Sequence, residues 1–430
     1  MARPSCRITL MTRITTPNAG NEALSIELIK FFRRELPDVE FRAIDRYPIY
    51  LAHYKLRTVQ AALNKLDLLD QHADFLIKHT EAQPTRELAS SADESLIRLV
   101  QPSKEHPSVI SSMKRLLGFR RNLARVGLIG WSELSRAVGT VAQSDVLVWN
   151  PAGELHTTGS PDEVFRLLLM VRLAQRLGKR TVIVNHSLEI SDALLRELVS
   201  YVYGHADFVI VRDSRSYREA LNLGISKHRL REAPDIVFLT ANNPPTESTI
   251  QLPDSAPIGL SLNGVEANIG TDEWDILLSS LARLSRPLVF VSNAIHRDRV
   301  FAKKLQRRYQ MKIIERQPSY TELQSIYSNF AALISSRLHS SILAIIRGTP
   351  VISIEPSVFK LTAVLEQMCY PYETEDPRRP GWADRVVSKV EHALTHRQEV
   401  SAFGRAAAIA QAQRVREGYS PVLSLMQGTP

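Results

Sequence analysis

Residues 331–354 constrain the fold more than any other stretch of this chain. Ala331–Ile334 is an apolar run of strand length, and Ile342–Ile346 continues as an apolar helix. Gly348 stands where a helix C-cap glycine belongs. Thr349-Pro350 then breaks the chain, and Val351–Ile354 reads as the next strand. Strand, turn, helix, turn, strand is the repeating unit of a parallel α/β sheet. The first turn carries Ser335-Ser336-Arg337-Leu338-His339-Ser340-Ser341, so Arg337 and His339 fall beside a helix N-terminus, where free N–H groups already favour an anion. Arginine adds a planar fork for phosphate or carboxylate, and histidine a proton that moves near neutral pH. A structural account stays open at this point: Arg337 can cap a neighbouring helix and His339 can be a satisfied polar group of the core.

The same alternation runs through most of the chain. Cys6–Met11 reads as a strand, Glu22–Leu36 as an amphipathic helix ended by Pro37, and Val39–Ile44 as a second strand. Residues 45–140 lack clear strands and read as a basic helical insertion. The pattern resumes with strands at Asp145–Trp149, Thr181–Asn185 and Asp207–Val211, separated by helices at Pro161–Leu177 and Asp192–Tyr203. A Pro-, Asn-, Ser- and Thr-rich linker follows at about 241–256. A second α/β series occupies 257–381, and a helical tail 382–430. The expected fold is α/β and GT-B-like: two doubly wound Rossmann-type domains, 1–240 and 257–381, facing a cleft. In such sheets ligands sit at the carboxyl ends of the strands.

Composition removes several functions. Cys6 and Cys369 are the only cysteines, so neither a disulfide framework nor a thiolate metal cluster is available, and a cytoplasmic location is expected. Ile8–Met11 is too short for a signal sequence, and no run approaches the roughly 20 apolar residues of a membrane span. The formal charge of +9 suits an anionic small substrate or an anionic lipid surface. Nucleic acid is not expected, because no recognition motif or aromatic stacking stripe is present. The basic amphipathic stretch 112–131 suits a peripheral position on the inner face of a membrane, or equally a helix packed on the first domain.

Other turns after strands supply the remaining candidates. Asn18 and Asn21 flank the single Gly20, which is neither a dinucleotide fingerprint nor a P-loop. Glu154 and His186 are titratable groups at strand ends. Arg212 leaves a strand, and Asp213 and Ser214 are good N-cap types for the following helix. His392 and His396 sit four apart, a metal-compatible spacing, without an evident third ligand.

Taken in order, several pieces resemble the polysaccharide pyruvyl transferase family. They are Asn18-Ala-Gly-Asn-Glu-Ala-Leu24, Val211-Arg-Asp-Ser-Arg-Ser216 with Leu221-Asn-Leu-Gly-Ile225, Ala233-Pro-Asp235, and Ser336-Arg-Leu-His-Ser-Ser-Ile-Leu-Ala344 with Gly348-Thr-Pro-Val-Ile-Ser-Ile354. The resemblance implies transfer of an enolpyruvyl unit from phosphoenolpyruvate to a sugar of a polysaccharide, lipid-linked oligosaccharide or glycan precursor, forming a ketal and releasing phosphate. It implies that Arg212, Arg337, Leu338, His339 and Ser340 hold the donor, with His339 and Arg337 catalytic. Asn18, Asn21, Glu154 and His186 are left for the acceptor or the general base. No metal and no cofactor are expected. The sequence departs from the family at Gly20-Asn21-Glu22, at Pro151-Ala152-Gly153, at Asn185–Glu189 and at Glu355-Pro356-Ser357, where Lys360 can stand in for a usual lysine. Those departures keep open a nucleotide-sugar glycosyltransferase on the same fold, or a non-catalytic partner in polysaccharide assembly.

Overall fold

The computed structural model describes residues 6–13, 18–45, 69–70, 73–74, 77, 136–153, 155, 161–243, 250, 252–253, 255–263, 272–309, 311–355 and 359–428. The first sheet has six parallel strands: β1 (Cys6–Thr12), β2 (Val39–Asp45), β3 (Val146–Trp149), β4 (Arg180–His186), β5 (Phe208–Val211) and β6 (Leu230–Glu232). Their order is β2-β1-β3-β4-β5-β6. The second sheet has five: β7 (Ile258–Ser261), β8 (Leu288–Phe290), β9 (Lys312–Ile313), β10 (Ala332–Ser335) and β11 (Val351–Ser353), in the order β11-β10-β7-β8-β9.

Covered on both faces, β3 and β10 are buried at every residue, which is why they read as unbroken apolar runs rather than alternations. β6 was not legible in the sequence. It is three residues long, carries Arg231 and Glu232, and pairs with β5 alone among the described residues, at the sheet edge.

The helices that matter to the site are α1 (Ala19–Glu35), α2 (Pro161–Arg176), α3 (Ala193–Gly204), α4 (Ser214–Asn222), α5 (Asp272–Ala282), α6 (Ile295–Tyr309), α7 (Tyr320–Ser328), α8 (Leu338–Ile346) and α9 (Lys360–Gln367). α10 (Trp382–Thr395) and α11 (Arg397–Gln427) close the chain. α11 packs on α8 and also on the 3-10 segment Ile236–Asn242 that follows β6, so it ties the two sheets together. Gly418 makes that approach possible, since a Cβ there would lie 2.4 Å from the Ala233 Cβ.

Each sheet reverses its winding at one point, between β1 and β3 in the first and between β7 and β10 in the second. α1 leaves the first switch point and meets the second sheet. Its first amide, Ala19 N–H, donates to Asn293 O after β8 at 2.9 Å, and Glu22 accepts from Tyr320 N–H at 3.1 Å. The two crevices where ligands collect in such sheets therefore open onto each other.

Of the insertion, the described positions between 69 and 77 are helical. They dock through Asp70, which takes a bidentate fork from Arg172 at 2.6 and 3.1 Å, and through Asp74 on Arg176. The basic stretch 112–131 lies outside the described residues. Among the described residues, no helix is long and apolar enough to cross a membrane.

Candidate active site

The β10–α8 turn is folded by its own serine. Ser335 Oγ accepts from Arg337 N–H at 3.0 Å and donates to Arg337 O at 3.1 Å, an ST-turn that sets Arg337 as the extended N-cap of α8. The Arg337 side chain does not cap that helix. Its Nη2 donates to both oxygens of Asp298, at 2.6 and 2.7 Å, and Asp298 is fully buried in the first turn of α6, where Ser292 Oγ also donates to it. Arg337 Nε is buried and has no hydrogen-bond partner. A charged donor is thus held rigidly beside the N-terminus of α8 with its Nε N–H unused by the protein.

His339 lies in the first turn of α8, about one-eighth exposed, with Nε2 3.4 Å from Asp235 Oδ2. The opposite ring edge rests on α1: a Cβ on Gly20 would lie 2.4 Å from His339 Nδ1. The imidazole is clamped between two segments of the first sheet, although it belongs to the second.

Asp235 is the hub of this arrangement. It is fully buried, caps the segment Ile236–Asn242 through Val237 N–H, and accepts from Arg212 Nη1 at 3.1 Å. Burial alone would push its carboxyl up. The facing His339, the Arg212 charge and the Val237 amide outweigh burial and hold it below the ordinary carboxylate value. Arg212 is itself 1% exposed. Its Nε donates to Ser187 Oγ at 2.8 Å, and Ser187 donates to Asp213, which caps α4. Asp213, Ser187, Arg212, Asp235 and His339 form one buried polar chain running from β5 to the cleft.

The other sequence candidates are placed less openly. Ser340 is sealed, its Oγ 2.9 Å from Ser261 Oγ, and Leu338 is half-buried against the core. Asn18 is the N-cap of α1, accepting from Gly20 and Asn21 N–H at 2.9 and 3.2 Å. Asn21 is buried with its Nδ2 unpartnered. His186 is fully buried, 3.0 Å from Tyr203 Oη. Burial and the Arg212 charge push its pKa down to about 3, so it is neutral and walled off from the cleft. Glu154 lies outside the described residues. Lys360 Nζ crosses from α9 to donate to Gly153 O at 3.2 Å, and Glu355 caps α9 through Leu361 and Thr362 N–H.

His392 is bonded to Tyr372 Oη at 2.9 Å and stacks on His396 with ring centroids 4.1 Å apart. Among the described residues no group of three or more His, Cys, Asp or Glu is arranged to hold a metal. Sequence reasoning gave no role to Asp235 or Asp298. A proline before Asp235 marks a turn, but nothing local says that its carboxylate faces a histidine a hundred residues on.

Two parallel α/β sheets meeting at their switch points define a GT-B-like fold. Solved structures similar over nearly the whole chain include a putative UDP-N-acetylglucosamine 2-epimerase from Listeria monocytogenes, with TM-score 0.56, 9% identity, and coverage of 99% of this chain and 98% of that one. A glycosyltransferase from Rickettsia africae ESF-5 gives TM-score 0.52 at 11% identity, covering 99% of both chains. HepE from Anabaena, solved with UDP, gives 0.52 at 10% identity, covering 97% of this chain and 100% of that one. At such identities the likeness concerns the fold alone. The chain belongs to the polysaccharide pyruvyl transferase family, whose model matches residues 18–357, and it is accordingly a transferase. No curated protein matches it.

Proposed function

We propose that this protein transfers a pyruvyl group from phosphoenolpyruvate to two hydroxyls of a sugar in a polysaccharide or its lipid-linked precursor. The donor carries a phosphate and a carboxylate, and the α8 N-terminus with the unpartnered Arg337 Nε supplies N–H groups for them. His339 protonates the methylene carbon, which becomes a methyl group, and the central carbon gains oxocarbenium character. One sugar hydroxyl attacks that carbon and gives its proton to the now neutral His339. The bond to the phosphate oxygen then breaks, the second hydroxyl closes the ketal, and its proton leaves with hydrogen phosphate. Asp235 stabilises the His339 imidazolium before transfer, and Arg212 acts behind it by fixing Asp235.

The observation that supports this reading most is the approach of His339 Nε2 to Asp235 Oδ2 at 3.4 Å, in the same α8 N-terminal turn that carries Arg337. The basic stretch 112–131 would hold the protein at the inner membrane face, where lipid-linked glycans are built.

Calorimetry and thermal shift with phosphoenolpyruvate test it, with wild type and His339→Gln side by side. A ligand at about 100 times its Kd raises stability by roughly 2.7 kcal/mol, a readable shift. Binding retained in His339→Gln with phosphate release lost supports the reading. A response to a nucleoside diphosphate alone would replace it with a glycosyltransferase.

A further inference from the structure

We infer that Asn21, Asn150 and Asn293 form the subsite that receives an acceptor hydroxyl, next to His339 and separate from the anion site. The inference rests on the pyruvyl transfer reading for the identity of its ligand, but not for its geometry. The three side chains are 8%, 4% and 4% exposed, and each keeps one amide atom buried without a hydrogen-bond partner: Asn21 Nδ2, Asn150 Oδ1 and Asn293 Oδ1. An amide left so costs free energy unless something polar fills the place.

Each is linked to the N-terminal turns of α1. Asn150 ends β3, and its Nδ2 donates to Thr12 Oγ1 at 3.2 Å. Thr12 Oγ1 is 3.0 Å from Ser25 Oγ on α1. Asn21 is one helical turn before Ser25, on the same face and nearer the cleft. Asn293 follows β8, and its carbonyl accepts the Ala19 N–H that opens α1. Gly20, between Ala19 and Asn21, is the residue pressed against His339. Asn21 and Asn293 are thus tied to the first turn of α1 beside Gly20, and Asn150 reaches the next turn through Thr12 and Ser25.

The chemistry of the unpaired atoms selects the ligand. Two acceptors and one donor, all uncharged, suit phosphate and carboxylate poorly, since the two amide oxygens turn away an anion's oxygens. A hydroxyl both gives and takes a hydrogen bond, so a sugar diol satisfies the set. Asn21 is also a poor choice for the fold itself, since asparagine inside a helix is worse than leucine and a buried amide is worse still.

The test compares wild type with Asn21→Leu and Asn150→Leu in three measurements. These are melting temperature without ligand, calorimetric binding of phosphoenolpyruvate, and phosphate release with methyl glucopyranoside, galactopyranoside and mannopyranoside as acceptor probes. The inference expects Tm unchanged or raised in Asn21→Leu, phosphoenolpyruvate affinity unchanged, and KM for any active glycoside raised about tenfold or more, the loss of one good hydrogen bond. A fall in Tm of Asn21→Leu shows that the amide is satisfied and overturns it. An unchanged KM, with buried water as the only occupant, also overturns it. If wild type binds phosphoenolpyruvate but uses none of the three glycosides, the melting comparison decides alone. If wild type ignores phosphoenolpyruvate, the transfer reading fails, while the subsite is judged by Tm and by calorimetric binding of the same glycosides.

Discussion

The Asp235 carboxylate lies 3.4 Å from His339 Nε2, joining the end of β6 in one sheet to the first turn of α8 in the other. Arg212 Nη1 and His339 Nε2 both face Asp235 Oδ2, so Asp235→Asn removes the charge that both share and sets its amide N–H either against those two groups or against Val237 N–H. We expect phosphate release to fall about 10²–10⁴-fold, the usual contribution of a positioned proton donor, with phosphoenolpyruvate affinity within a few-fold of wild type. The variant should also change acid unfolding. The folded carboxyl titrates below its ordinary value of 3.8, so in acid the native state binds fewer protons than the unfolded chain. This stabilisation is fully present above that value and is lost below it, as pH falls through the lower folded value. Urea unfolding of Asp235→Asn should therefore be flatter with pH below about 4 than that of wild type.

Gly20→Ala tests the other side of the imidazole. The new methyl would lie 2.4 Å from His339 Nδ1, inside contact distance, and either the ring or α1 must shift. Because Asp235 holds the far nitrogen, a shift of the ring breaks that alignment. Phosphate release should drop at least tenfold while the melting temperature changes little, since alanine favours the helix. Equal activity in both proteins would mean that the ring has slack and that its position is not set by α1.

Much of this was legible in the sequence, and the rest was not for physical reasons. Apolar runs and cap residues located β3, β4, β10 and α8, because strand burial and helix capping are local properties. The turn holding Arg337 and His339 was legible on the same grounds. Asp298 was not, since its meaning comes from Arg337, 39 residues away. Arg212 read as a cleft arginine because it ends a strand. Its burial by Ser187 and Asp235 depends on how β4, β5 and β6 line up, which no window of sequence contains.

His186 makes a prediction of the opposite kind. Burial and the Arg212 charge push its pKa down to about 3, from 6.5 for the free side chain. The unfolded chain therefore takes up a proton near pH 6.5 that the native state refuses. Stability should fall by about 1.4 kcal/mol per pH unit from this group alone as pH drops below 6.5 and toward 3. His186→Gln should remove that slope in a urea series between pH 6 and pH 4, and leave phosphate release within a few-fold of wild type. A large loss of activity would make the histidine a participant rather than a packed neighbour of Tyr203.

The basic stretch 112–131 gives a prediction that depends on charge alone. Replacing Lys114, Arg115, Arg120 and Arg121 by glutamine should weaken sedimentation with anionic phosphatidylglycerol liposomes, at about 1 kcal/mol for each residue near the surface. Raising the salt should weaken wild type in the same way. Wild-type protein that ignores such liposomes at low salt would place the acceptor away from the bilayer.

Arg337 cannot be tested by alanine alone. Arg337→Ala leaves Asp298 charged and fully buried without its arginine, and breaking one side of such a pair costs about 3–5 kcal/mol. Lost phosphoenolpyruvate binding in that variant could be lost structure. Arg337→Met with Asp298→Asn removes both charges together, so urea unfolding should show most of the stability returning. Calorimetry should show phosphoenolpyruvate binding still absent, because the Arg337 guanidinium no longer stands at the start of α8. Recovery of binding along with stability would mean that Arg337 serves only to neutralise Asp298, and that the helix N-terminus alone holds the donor.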